Sequence, residues 1–191
     1  MAKVDAGAAF SLFLDTNGDA YSCGLNMFGA LGLGDNGAGT ERLEPTLITA
    51  FVNTAIRNLT GIAEQAQPSM FLDANNNLYP SGENQGCSLG LGDPNDRNIP
   101  ELVNGNGGTL EGKVIEVASL ATASLLLNTN GDCYSFGQNS YGQLGLGDTI
   151  NREWPTYVSG RTVIGDSEFA RFNSSRAYDE WTATGVYQEK D

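Results

Sequence analysis

Histidine is absent from this 191-residue chain, and cysteine occurs only at Cys23, Cys87 and Cys133. Without histidine the usual general base at neutral pH and the commonest metal ligand are missing, which lowers the expectation of hydrolytic and zinc chemistry together. Three irregularly placed cysteines make neither a disulfide framework nor a zinc site. Basic residues are also scarce, 10 against 23 acidic ones, for a formal charge of −13. Such a balance repels a phosphate backbone unless a local cluster overrides it. Arg152, Arg161, Arg171 and Arg176 are scattered with no two adjoining, so direct nucleic-acid binding is not expected. No run approaches the roughly 20 apolar residues of a membrane span. The apolar "AAFSLFL" at 8–14 is bracketed by Asp5 and Asp15 and lacks a following cleavage site, unlike a secretory leader. These absences favour a cytoplasmic or particle-associated chain over a secreted one.

Glycine, by contrast, is plentiful at 25 residues, and much of it recurs in one phrase. "FGALGLGD" at 28–35, "GCSLGLGD" at 86–93 and "YGQLGLGD" at 141–148 are copies, spaced by 58 and 55 residues. Upstream, "FSLFLDTNGDAYSCGLN", "PSMFLDANNNLYPSGEN" and "ASLLLNTNGDCYSFGQN" begin at 10, 68 and 123 with the same two spacings. Repeats of this length indicate units that stack side by side.

Each unit reads as short strands. Residues 10–14, 68–72 and 123–127 are apolar runs bounded by turn residues, and 19–23, 77–81 and 132–136 form a second run carrying Tyr21, Tyr79 or Tyr134. Asn17-Gly18 and Asn130-Gly131 lie between the runs and supply the positive φ of a tight hairpin, with Asn76-Asn77 in their place in the second unit. A further apolar stretch follows Pro45, Pro100 and Pro155, and another, "LTGIAEQ" or "KVIEVAS", precedes the next hairpin. Four short strands per unit is the content of a propeller blade. The expected fold is therefore all-β, a partial or shared β-propeller of four-stranded antiparallel blades.

An apolar strand, then T-N-G-D-x-Y-S-x-G, then x-N-x-x-G-x-L-G-L-G-D, then x-x-P-x-x-V resembles the repeat of the regulator of chromosome condensation family, which implies blades of a seven-bladed propeller. The resemblance covers roughly residues 4–158, in units of about 4–61, 62–116 and 117–158. "TGVYQ", with Tyr187 in step with Tyr134, marks 159–191 as a degenerate partial fourth unit or capping tail. The family's histidine ahead of the first-strand serine is replaced by Phe10, Pro68 and Ala123, and its tryptophan before the glycine ending the second strand by Cys23, Ser81 and Phe136. The blade architecture carries over; a particular member's activity does not.

A phosphate-binding reading of the glycine loops fails for want of a preceding strand, a lysine and a following helix. Gly32, Gly34, Gly90, Gly92, Gly145 and Gly147 are instead expected to let backbone pack against backbone at positive φ. Asp35, Asp93 and Asp148, which close each GLGD, are expected to accept hydrogen bonds from following amides rather than to ring a cation. "DTNGD" at 15–19 has its glycine too early for a calcium loop. Trp154, Trp181, Arg171 and Arg176 do not recur between units, which makes them candidates for a partner contact.

No constellation supplies a nucleophile, a base and an orienting partner, so no catalytic residue, cofactor or metal is expected. The function expected is a non-catalytic module for protein-protein interaction or assembly within a larger complex. The alternatives are a structural appendage of a phage or viral particle, a guanine-nucleotide exchange factor, and an enzyme-inhibiting propeller. Exchange activity would call for an inserted wedge and a basic arm, and neither is seen. Three and a half blades leave strand edges and apolar faces that protein partners, or further copies in a homo- or hetero-oligomer, would cover.

Overall fold

A computed structural model describes residues 1–61, 68–103, 110, 113–119 and 122–159. These described residues hold eleven strands in three antiparallel sheets. The first sheet is a meander of β1 (Lys3–Ala6), β2 (Phe10–Leu14), β3 (Ala20–Gly24) and β4 (Arg42–Leu47). The second contains β5 (Ile56–Gly61), β6 (Ser69–Asp73) and β7 (Leu78–Ser81). The third repeats the four-strand plan with β8 (Val114–Ser119), β9 (Ala123–Asn128), β10 (Cys133–Gly137) and β11 (Arg152–Tyr157).

The sheets are offset from the sequence units, because β5 pairs with β6, the strand that follows it, and β8 likewise with β9. In the second sheet the expected fourth strand is held only at intervals. Gly82 and Arg97 exchange backbone hydrogen bonds of 2.6 and 2.9 Å, the Glu101 amide donates to the Pro80 carbonyl, and the Val103 amide donates to the Leu78 carbonyl. Pro80 has no N–H to give, and Pro100 none to return, so a regular ladder cannot form there. Pro45 and Pro155 lie inside β4 and β11, on the outermost strand of each sheet, where a missing donor costs least.

The turns between the paired strands are hairpins with three-residue loops. The Asp15 amide donates to the Asp19 carbonyl across a three-residue loop, and Gly18 takes φ +90° while Asn17 does not share the positive φ. Gly131 and Asn76 occupy the same position, with φ of 81° and 65°. The first residue of each loop is what holds it: Asp15 Oδ1 accepts the amides of Asn17 and Asp19, Asp73 Oδ1 those of Asn75 and Asn77, and Asn128 Oδ1 those of Asn130 and Asp132. One acceptor three bonds from the backbone satisfies two turn amides at once.

Packing follows from strand alternation. In β2 the alternate residues Phe10, Leu12 and Leu14 are buried while Ser11 and Phe13 are half-buried. All five residues of β6 are buried, because the second sheet is covered on both faces. One apolar core joins Phe10, Leu12 and Leu14 to Leu59 and Phe71, with Tyr79 at its margin. A second joins Met70, Leu72 and Leu78 to Leu126, Tyr134 and Phe136, with Val117 and Tyr157 at its margin. Each such side chain, fully buried, contributes about 1.5–3 kcal/mol, so the two inter-sheet cores carry most of the drive to stack.

Candidate functional site

The three glycine loops are built alike around a buried asparagine. Asn26, Asn84 and Asn139 are nearly or fully inaccessible, and each Oδ1 accepts an amide, from Leu31 at 3.1 Å, Leu89 at 2.9 Å and Leu144 at 2.9 Å. Each Nδ2 donates across the loop to the carbonyl of the closing aspartate, Asp35, Asp93 or Asp148, at 2.9, 2.6 and 2.9 Å. A side-chain amide is the one group able to accept and donate in this way with no charge to desolvate.

The closing aspartates are tied down from the other side by arginine. Arg42 pairs with Asp35 at 2.6 Å, Arg97 with Asp93 at 2.8 Å and Arg152 with Asp148 at 2.6 Å. Asp93 Oδ1 also accepts the Asn95 amide and Asp148 Oδ1 the Ile150 amide, whereas Asp35 Oδ1 accepts from the Asn26 side chain. The Arg97 guanidinium, first, and then the Asn95 amide hold Asp93 below the usual carboxylate range against some desolvation, and Arg152 with the Ile150 amide does the same for Asp148. A carboxyl whose pKa is lower folded than unfolded adds stability that is fully present above the ordinary carboxylate pKa and vanishes as pH falls through the lowered value. Urea midpoints measured from pH 7 down to pH 2 should therefore fall on the acid side, and Asp93→Asn should flatten that fall while lowering the neutral-pH midpoint.

The glycines of the first two loops press on the following sheet. A Cβ on Gly29 would lie 2.5 Å from Asn98 Cα, and one on Gly32 would lie 3.0 Å from the Pro100 ring. A Cβ on Gly90 would lie 2.8 Å from the Phe136 ring and one on Gly92 1.9 Å from the Trp154 indole. Backbone hydrogen bonds cross at the same places, from the Gly34 amide to the Asn98 carbonyl at 2.8 Å and from the Gly92 amide to the Glu153 carbonyl at 3.0 Å. Serine hydroxyls add a third tie: Ser69 donates to the Ala30 carbonyl at 2.6 Å and Ser124 to the Ser88 carbonyl at 2.9 Å. In the third loop a Cβ on Gly147 would meet nothing within 4 Å.

The arrangement uses its asparagines, aspartates and arginines to hold each loop, and its serine hydroxyls and backbone amides to tie sheet to sheet. Trp154, one of the candidates for a partner contact, is half-buried against Gly92 between the second and third sheets. Trp181, Arg171 and Arg176 lie outside the described residues, as does the tail beyond residue 159. Sequence reasoning gave no role to Asn26, Asn84 and Asn139 or to the arginines that pair with the aspartates. Their signal was recurrence: an asparagine two residues after Gly24, Gly82 and Gly137, and an arginine three residues before Pro45, Pro100 and Pro155. Among the described residues no group of three or more Asp, Glu and Cys side chains is placed to hold a metal ion, and no helix is long and apolar enough to cross a membrane.

Comparison with known proteins converges on one repeat. The model of the regulator of chromosome condensation repeat matches residues 17–63 and 130–165, and a second model of the same repeat matches residues 1–30. The ultraviolet-B receptor UVR8 of Arabidopsis thaliana is 33% identical over 146 residues, 76% of this chain and 31% of the receptor. The protein RCC2 homolog of Danio rerio is 36% identical over 140 residues, 72% of this chain and 26% of that protein. The crystal structure of Prp20p from Saccharomyces cerevisiae, described with its binding to Gsp1p and histones, superposes with a TM-score of 0.69 at 24% identity, over 82% of this chain and 37% of that one. The matched part thus spans about a third or less of each relative.

Proposed function

Because the chain belongs to the regulator of chromosome condensation repeat family, we propose that it is a non-catalytic β-propeller module for protein-protein interaction or assembly within a larger complex. The observation that carries this reading is the use made of the repeated polar residues. Asn26, Asn84 and Asn139, the closing aspartates and the arginines paired with them are engaged in holding their own loops, and the glycines of the first two loops serve close backbone approach to the next sheet. Function on such a scaffold falls to surfaces presented by sheets and loops rather than to a reactive centre. An acidic chain favours basic patches on a protein partner and disfavours nucleic acid.

Chemical cross-linking of the full chain at low salt, followed by mass spectrometry, tests the reading. The expected result is a discrete cross-linked protein complex that weakens as salt is added. A chain that forms no complex, with itself or with other proteins, would contradict it.

A further inference from the structure

The joint between neighbouring sheets has two halves. The receiving half is a cross-strand row: Leu59, Phe71 and Tyr79 in the second sheet, and Val117, Leu126, Tyr134 and Tyr157 in the third. The donating half is the opposite face of the preceding sheet, Leu12 and Leu14 in the first and Met70 and Leu72 in the second, together with that sheet's glycine loop. The joint is therefore made twice within the described residues, and one copy of each half is left over.

The spare receiving half is on the first sheet. Val4, Phe13, Tyr21 and Leu47 form the same row in register, Val4 opposite Phe13, Phe13 opposite Tyr21, and Tyr21 opposite Leu47. Val4 is 61% exposed, and Pro45 is exposed although its equivalents Pro100 and Pro155 are buried. The spare donating half is on the third sheet. Leu125, the equivalent of fully buried Leu12 and of Met70, is 41% exposed, and the Gly147 loop has the open space that Gly92 lacks.

We propose that the chain joins a second copy of itself head to tail, the third sheet of one copy packing on the first sheet of the next through this same joint. This rests on reading the chain as an assembly module. The complementarity is already present in the molecule: the hydroxyl of Ser11 is the equivalent of Ser69 and Ser124, and the Gln143 carbonyl of the second copy is the equivalent of their acceptors, Ala30 and Ser88. By the same equivalence the Gly147 amide of one copy would donate to the Leu43 carbonyl of the other, as Gly34 does to Asn98 and Gly92 to Glu153. The contact pairs two different surfaces, so it is heterologous and propagates until a ring closes or an end is blocked.

That asymmetry supplies the test. Light scattering and sedimentation of the full chain at physiological ionic strength should show concentration-dependent association. Val4→Arg and Leu125→Arg each spoil one half of every joint the variant could make with itself, and an unpaired charge buried there should weaken self-association at least about 100-fold. Mixed in equal amounts, the two variants retain one intact half each and should form a one-to-one complex that grows no further, which also shows that both are folded. A wild-type chain that stays monomeric, a single variant that associates as the wild type does, or a mixture that forms no complex would each overturn the proposal. A monomeric wild type that still cross-links to another protein overturns the self-joint alone; the lack of any protein complex overturns the module reading with it.

Discussion

Gly137→Ala is expected to destabilise the chain by at least about 3 kcal/mol, enough to unfold much of a marginally stable domain. Gly137 closes β10 at φ +103°, where the register of β10 against β11 shifts between Ser135 and Gly137. An alanine Cβ there would sit 2.3 Å from the Thr122 carbonyl oxygen and 2.7 Å from Ala123 Cα, both backbone atoms that cannot swing aside. Gly24 is placed identically, 2.5 Å from the Ala9 carbonyl oxygen at φ +108°. Gly147→Ala is the control, since its φ of +80° is strained for alanine but its surroundings are open. It should cost only about 1 kcal/mol, the left-handed penalty by itself. Urea denaturation of the two variants separates steric conflict from backbone strain, and equal losses would contradict the geometry.

Asn84→Ala should cost about 2–4 kcal/mol, because stranding one buried polar group costs about 1–3 kcal/mol and this change strands more than one. The side chain is fully buried, accepts the Leu89 amide, and donates to the carbonyls of Asp93 at 2.6 Å and Asn95 at 3.0 Å. Removing it leaves an amide and two carbonyls short of a partner in a loop whose Leu89 and Leu91 belong to the core beneath the third sheet. Asn84→Asp keeps the acceptor but loses both donations and buries a charge, so it should do no better than alanine. Thermal unfolding followed by circular dichroism compares the two directly.

The blade architecture was legible because it rests on local chemistry repeated three times. Apolar runs, turn residues and their common spacing are visible without long-range information, and they located β2, β6 and β9 and their partner strands. What the sequence did not reveal depends on what lies opposite. Asn17-Gly18 satisfies a two-residue turn as well as a three-residue one, and the choice is made by Asp15, whose carboxylate gathers the amides of Asn17 and Asp19. Trp154 is unique to its unit, which reads as a surface for partners. Only the neighbouring loop shows that the indole fills the space that Gly92 leaves free. The fourth strand of the second sheet failed to form a ladder because Pro80 and Pro100 remove donors from both sides of the same pairing. Asn26, Asn84 and Asn139 recur plainly enough, but recurrence alone does not distinguish an asparagine that staples a loop from one that faces water.

Hydrogen exchange read residue by residue by NMR, in the non-associating Val4→Arg variant, tests the stacked-sheet claim most directly. The amides of Met70, Phe71 and Leu72 should exchange most slowly, ahead of their equivalents Leu12 to Leu14 and Leu125 to Leu127, because only the second sheet is covered on both faces among the described residues. Exchange in Met70 to Leu72 as fast as in those outer sheets would contradict the account, since sheets that do not stack give the middle one no advantage.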